Sequence, residues 1–357
     1  MTHTDSHTDV TTPLLQVSGL KVHFPLRPGL FGKPAAMVKA VDGVDFTVHR
    51  GETLGLVGES GCGKSTTGLA VLRMTPLTEG RIVFDGEDIS HPDAATTKRL
   101  RRKMQMVYQD PFGALNPRMR VLDIIGEPLR VHRLTRTRAE YRERVMDLLD
   151  RVGLKAEMAD RYPHEFSGGQ RQRIGIARAL AADPSLIICD EPVSALDVSI
   201  QAQVINLLED LQRDLGLTYL FVAHDLAVVR HLCHRIVVMY LGRVVEVADR
   251  ERLYQAPRHP YTQALLGAIP IADPDPEVQA RFNPSVDGEV PSPIDPPPGC
   301  PFHPRCPHAT DLCRREAPRP LDVEDGHSVA CHLHDPSRAA EMNHSEPSYQ
   351  EQARNIA

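Results

Sequence analysis

Gly58-Glu-Ser-Gly-Cys-Gly-Lys-Ser65 fits the pattern G-x-x-x-x-G-K-[ST]. It follows the apolar run Leu54–Val57 and precedes a helical pattern over Ser65–Arg73. Strand, glycine-rich loop and helix in that order make a phosphate cradle. Gly58, Gly61 and Gly63 let successive backbone N–H groups, those of Glu59, Ser60 and Cys62 among them, point inward at phosphate oxygens. The helix that follows adds its positive end. Lys64 is expected to reach the β- and γ-phosphates and Ser65 to ligate Mg²⁺, with Thr66 completing the nucleotide-binding set. The backbone of Cys62, more than its thiol, is expected to matter, although oxidation there could block nucleotide.

Further along, Ser185-Leu-Ile-Ile-Cys-Asp190-Glu191 reads as a buried strand ending in two acids. Asp190 is placed to hold Mg²⁺, directly or through water, and Glu191 to polarise an attacking water. Phe166-Ser-Gly-Gly-Gln-Arg-Gln-Arg173 opens an Ala-rich helix, so Ser167, Gly168, Gly169 and Gln170 form a second helix-start anion site. One chain with one cradle has no use for it. It makes sense if it serves a nucleotide held by another subunit.

The cradle, Gln109, the SGGQ run, Asp190-Glu191, Ser194-Ala-Leu-Asp197 and His224 stand in the order and spacing of the ABC (ATP-binding cassette) ATPases, and the resemblance covers about 14–248. It implies an α/β P-loop cassette: a RecA-like core, an antiparallel β-subdomain and a helical subdomain. It also implies that two cassettes sandwich two ATP molecules, each between one P-loop and the other subunit's signature. By this resemblance Gln109 is the Q-loop residue, touching Mg²⁺ and the transmembrane partner. Asp197 belongs to the D-loop, His224 is the switch histidine aimed at the γ-phosphate, and Phe24 is the candidate for stacking on adenine. Glu191, His224 and Lys64 form the catalytic set, and Ser65, Gln109 and Asp190 the Mg²⁺ set. The signature begins with Phe166 where the family has Leu, which predicts a packing change and no loss of ATP contact.

The rest of the chain sets bounds. It has 357 residues with 41 Lys+Arg against 47 Asp+Glu, net charge −6. A mildly acidic chain is a poor non-specific nucleic-acid binder. The basic run Lys98-Arg-Leu-Arg-Arg-Lys103 lacks interleaved aromatics and reads as a solvated helix face. No apolar run approaches a membrane span, and the polar start MTHTDSHTDVTTP gives no signal peptide. The chain is therefore expected in the cytosol, and the resemblance implies the cytoplasmic side of the cell membrane, peripherally, through partners. Strand candidates are Leu54–Val57, Ile82–Phe84, Gln105–Tyr108, Leu186–Cys189, Tyr219–Ala223, Ile236–Tyr240 and Val244–Val247, alternating with helices in the manner of a largely parallel sheet. The division expected is a disordered tail over 1–13, a nucleotide-binding domain over 14–256 with a helical subdomain at about 111–182, an extension over 257–334, and a disordered tail over 335–357.

The extension holds 14 prolines between Pro257 and Pro307, a density that breaks helices and strands, leaving one short helix over Tyr261–Ile269. Arg258-His-Pro-Tyr261-Thr-Gln-Ala-Leu-Leu266, Gly288-Glu-Val-Pro-Ser-Pro293 and Pro296-Pro-Pro-Gly-Cys300 resemble the extension of dipeptide/oligopeptide/nickel importer ATPases. Arg161-Tyr-Pro-His-Glu-Phe-Ser167 and Glu191-Pro-Val-Ser-Ala-Leu-Asp-Val198 look like the same subfamily, and Gly29-Leu-Phe-Gly32 like its F-type subunit. That resemblance implies a related second ATPase, with a heterodimer favoured over a homodimer. It implies two separate permeases and, indirectly, an extracytoplasmic solute-binding protein, with no nucleic acid. The alternatives are nickel, glutathione or another solute, a soluble ABC ATPase that transports nothing, and a metal-sensing module. Cys300, Cys306, Cys313 and Cys331 are spaced C-x5-C-x6-C-x17-C. Such thiols can hold zinc or an iron–sulfur cluster; the absence of a short C-x2–4-C pair favours the larger group. The resemblance points to [4Fe-4S], while the interleaved His303, His308, His332 and His334 keep mixed zinc ligation open.

Overall fold

The computed structural model describes residues 12–26, 36–268 and 288–338. The Gly29–Gly32 insert lies outside them, as do most of both tails. The chain opens with β1 (Leu15–Pro25) and β2 (Met37–Val48), then β3 (Thr53–Val57) runs into α1 (Lys64–Val71). Next come β4 (Glu79–Phe84), β5 (Glu87–Asp88), α2 (Ala94–Lys103) and β6 (Met104–Val107). A helical stretch follows: α3 (Pro111–Ala114), α4 (Val121–Val131), α5 (Arg138–Arg151) and α6 (Gly168–Leu180). Then β7 (Leu186–Asp190), α7 (Val198–Leu215), β8 (Thr218–Ala223), α8 (Leu226–Leu232), β9 (Arg235–Tyr240) and β10 (Arg243–Asp249) alternate. Last are α9 (Arg250–Gln255), α10 (Pro260–Gly267), α11 (Asp311–Arg315), β11 (Leu321–Glu324) and β12 (His327–Val329).

One sheet is antiparallel, in the order β2-β1-β4-β5; the larger runs β11-β12-β10-β9-β3-β8-β7-β6. Its centre is parallel, with β3 between β8 and β9, and β7 between β8 and β6. Parallel strands covered on both faces read as continuous apolar runs, as these do. The period of two then sorts them. Leu54, Leu56, Ile188, Leu220, Val222 and Val237 face one core, shared with the antiparallel sheet and α1. Val57, Ile187, Phe221, Val238 and Tyr240 face the other, shared with α4–α8 and the start of the extension. Each side chain so buried contributes about 1.5–3 kcal/mol. The β3–α1 junction is thereby held between two packed layers.

The apolar runs of the sequence give no strand over β1 and β2. Both are present, but register shifts at Val17/Leu20, Leu20/Lys21 and Val22/His23 interrupt the alternation that would signal them. Within α4, Pro128 masks the helical pattern. The run 98–103 lies on α2 with only Leu100 buried in that helix, a solvated face.

The extension departs most from expectation. It does contribute strands: β12 pairs antiparallel with β10 (Glu246↔Val329, Val247↔Ser328), and β11 with β12, extending the central sheet. It also shares the chain's core. Phe302 meets Tyr240 edge-on at 5.3 Å and Tyr261 at 5.4 Å. The buried Glu246 carboxylate of β10 accepts from the Arg258 N–H at 2.7 Å and the His259 N–H at 2.9 Å, and lies 2.8 Å from His327 Nε2. The predicted short helix is α10, Pro260–Gly267, with the His259 ring as its cap.

Candidate functional site

The loop after β3 is shaped by two glycines. At Gly58 φ is 151° and a Cβ would come 2.2 Å from the Met239 carbonyl oxygen; at Gly63 φ is 103° and a Cβ would come 2.2 Å from that of Ala40. Neither position admits a side chain without moving backbone. No side chain caps α1, which leaves first-turn N–H groups for a ligand. Lys64 is buried and folds back, its Nζ donating to Gly58 O at 2.8 Å and Glu59 O at 3.0 Å.

Ser60, Gly61, Gly63, Lys64, Ser65 and Thr66 line a pocket whose remaining walls are Ala40, Gln109, Glu191 and His224. Ser65 Oγ donates to Asp190 Oδ1 at 2.8 Å. Burial pushes the Asp190 carboxyl above its ordinary range, the Ser65 hydroxyl and the Lys64 charge opposing and the neighbouring Glu191 adding to it. Glu191 Oε2 accepts from Gln109 Nε2 at 2.9 Å and lies 3.0 Å from His224 Nδ1. Glu191 holds φ at 44°, left-handed for a residue with a side chain, and its N–H is tied to Val222 O at 2.9 Å. Strain of that sort is retained where the surroundings over-determine it. The sequence-predicted residues from the cradle, the Q-loop position, the strand-end acids and the switch histidine thus meet in one place.

Others do not meet there. Ser167 caps α6 in a reciprocal box with Gln170 (3.4 and 3.1 Å), on an exposed corner, and 167–170 contribute nothing to the pocket lining. A Cβ on Gly169 would come 2.4 Å from Ile200, so this start is seated against α7. Phe166 is buried in the core. Asp197 is exposed at the start of α7 beside Val198, which is 81% exposed. Phe24 is 42% exposed on β1 opposite Val38, two residues from the pocket-lining Ala40. Cys62 is buried, which pushes its thiol up, against the pull of Lys64. Such a thiol is a poor target for oxidation.

Cys300, Cys306, Cys313 and Cys331 line one cavity together with His303, His308 and His332. Burial pushes Cys300 up to about 11, Cys306 to about 12 and Cys331 to about 12. Sulfur and imidazole donors with no carboxylate match a soft metal or cluster in kind. Among the described residues no three His, Cys, Asp or Glu side chains are arranged to hold a metal ion.

Sequence reading missed the pocket-lining Ala40, for which no motif exists, and two residues of the extension that reach the cradle. Tyr261 Oη accepts from the Glu59 N–H at 2.8 Å. Arg305 grips the Glu59 carboxylate at 2.8 and 3.0 Å. They stand 202 and 246 residues from Glu59, beyond any local pattern.

The chain is similar to known proteins in sequence and in fold. A family model described as ABC transporter matches residues 41–194, and one described as oligopeptide/dipeptide transporter, C-terminal region, matches 245–313. The chain is 53% identical over 322 residues to the oligopeptide transport ATP-binding protein AppF of Bacillus subtilis, covering 90% of this chain and 97% of that one. It is 50% identical over 325 residues to the oligopeptide transport ATP-binding protein OppF of Salmonella typhimurium, covering 90% and 97%. A dimeric ATP-binding cassette solved in a post-hydrolysis state with ADP and phosphate has a TM-score of 0.59 at 27% identity, covering 66% of this chain and 98% of that one. Among the described residues no helix is long and apolar enough to cross a membrane.

Proposed function

This chain belongs to the oligopeptide/dipeptide branch of the ABC transporter ATP-binding proteins, and we propose that it is the ATP-hydrolysing subunit that energises uptake of dipeptides or oligopeptides through separate permeases. The observation that carries the reading is the split of the machinery. Cradle residues, Gln109, Glu191 and His224 line one pocket, with Asp190 hydrogen-bonded to its Ser65, while Ser167-Gly-Gly-Gln170 has no part in that lining. A second cassette must supply the signature for this pocket, and this chain's signature then serves that cassette's ATP. A related but distinct partner is favoured over a second copy, and the pair would sit on the cytoplasmic face of two permeases.

In the pocket each residue has work suited to its position. Lys64 gives up the Gly58 and Glu59 carbonyls for phosphate oxygens. Ser65, Asp190 and Gln109 would hold Mg²⁺, which supplies charge neutralisation to the phosphates. Glu191, oriented by Gln109 and His224, takes the proton of the attacking water. Phe24 offers its exposed ring to adenine and Asp197 faces the partner. Closure on ATP would move the permeases and hydrolysis would reset them. The boundaries 14–256 and 257–334 are kept as functional units, with the helical subdomain at about 111–182.

The finer reading of the extension is that Cys300, Cys306, Cys313 and Cys331 hold a [4Fe-4S] cluster, zinc being the alternative. Its support is the shared cavity and the donor set. The group would clip the extension to the cassette rather than take part in hydrolysis.

The test is uptake of labelled di- to pentapeptides in cells whose only copy is wild type or Glu191→Gln. Uptake that disappears in the variant is expected. Equal uptake in both strains overturns the peptide reading and leaves another solute, nickel among them, or no transport role.

A further inference from the structure

Glu59 is the one acidic residue of the cradle motif, and the extension holds it on two sides. Arg305 Nη1 and Nη2 donate to Oε2 and Oε1 at 2.8 and 3.0 Å, a two-pronged geometry that fixes the carboxylate in direction as well as position. The Arg305 side chain is 8% exposed and that of Glu59 30%, so the pair is shielded from water and salt far more than a surface ion pair. The guanidinium lies 5.9 Å over the Tyr240 ring, within the aromatic cluster that Tyr261 and Phe302 complete. Tyr261 Oη takes the Glu59 N–H, and Lys64 Nζ takes its carbonyl. Every polar group of Glu59 is thus engaged, two of them by residues of the extension.

An unpaired carboxylate here would oppose a polyphosphate. Pairing with Arg305 offsets its charge, so that the Lys64 ammonium meets phosphate without an unpaired carboxylate on the same loop. We propose that Arg305 is a positioning residue for ATP: through Glu59, with Tyr261 on the same residue's N–H, the extension sets the affinity of the cradle for nucleotide. The proposal rests on the reading of 58–65 as the ATP cradle and adds a dependence on the extension to it.

The experiment is titration of the full-length chain with fluorescent mant-ATP and Mg²⁺, in wild type, R305Q, E59Q and the E59Q/R305Q double variant, with thermal melts to certify folding. R305Q is expected to weaken binding about tenfold, R305K to recover part of the loss, and R305Q to change affinity less than about twofold when Glu59 is already Gln. A residue that merely braces the extension would cost the same in both backgrounds, and that result overturns the proposal, as does wild-type affinity in R305Q. Should R305Q fail to fold, Tyr261→Phe decides. It keeps the ring in its cluster and removes only the acceptor of the Glu59 N–H, so unchanged affinity overturns the proposal and a several-fold loss supports it. A wild-type chain that binds no ATP overturns the ATPase reading itself, an outcome distinct from the others.

Discussion

The Ser65 hydroxyl donates to the Asp190 carboxylate at 2.8 Å, joining the first turn of α1 to the end of β7. Two groups suited to a metal ion hold each other, and burial raises the Asp190 carboxyl above its ordinary value of about 3.9. A carboxylate with a raised folded-state pKa lowers stability at every pH above that value, and the penalty vanishes below the unfolded one. Asp190→Asn keeps the acceptor for Ser65 and removes the buried charge. The nucleotide-free variant is therefore expected to melt higher than wild type at pH 7, with the difference closing toward pH 3. Mg·ATP, which should raise the melting temperature of wild type, should do little for the variant. Equal melting of both proteins at pH 7 would count against the buried-charge account.

Glu191 Oε2 is shared between Gln109 Nε2 and His224 Nδ1. A group that orients the base acts on the chemical step more than on ground-state binding. His224→Ala is expected to lower kcat of the assembled ATPase by about 10²-fold, with KM for ATP within about threefold. Steady-state hydrolysis over an ATP series separates the two constants. A rise in KM with kcat kept would move His224 from orienting the base to gripping nucleotide.

The parallel core was legible because strands buried on both faces read as continuous apolar runs, as Leu186–Cys189 and Tyr219–Ala223 do within their strands. The cradle and the strand-end acids were legible because phosphate chemistry demands fixed residue types at fixed spacing. What escaped were features set by distant partners. β1 hides behind its bulges, and β11, Leu-Asp-Val-Glu, alternates too briefly to stand out. Arg305 carries no local signal: its meaning lies in Glu59, at the far end of the chain.

The cysteine cavity yields a separate prediction. Protein purified without oxygen is expected to carry iron and acid-labile sulfide with broad visible absorbance, all lost in Cys313→Ser. Zinc at about one equivalent with no visible absorbance would select the alternative. Peptide uptake in the Cys313→Ser strain is expected to fall only as far as the amount of folded subunit falls, since the proposed group clips the extension. Folded subunit at wild-type level with uptake abolished would instead assign the cavity a regulatory role.

Glu246 joins the extension to the cassette. Its carboxylate is fully enclosed, and both its oxygens are engaged by residues that follow the cassette: the Arg258 and His259 N–H groups and the His327 ring. Because β10 is the strand to which the β11–β12 hairpin adds, this one side chain ties the sheet edge, the entry to α10 and the hairpin together. Removing one partner of a buried pair strands the others, at a cost of about 3–5 kcal/mol. Glu246→Ala is expected to lower stability by that amount in urea denaturation. Limited proteolysis should then cut near 257–338 first, because the loss falls on the junction and spares the two cores of the cassette. The Arg305 and Tyr261 contacts to Glu59 depend on the same junction, so a folded Glu246→Ala chain should also bind ATP more weakly. Weakened stability with full ATP affinity would show that the hold on the cradle survives a loosened anchor.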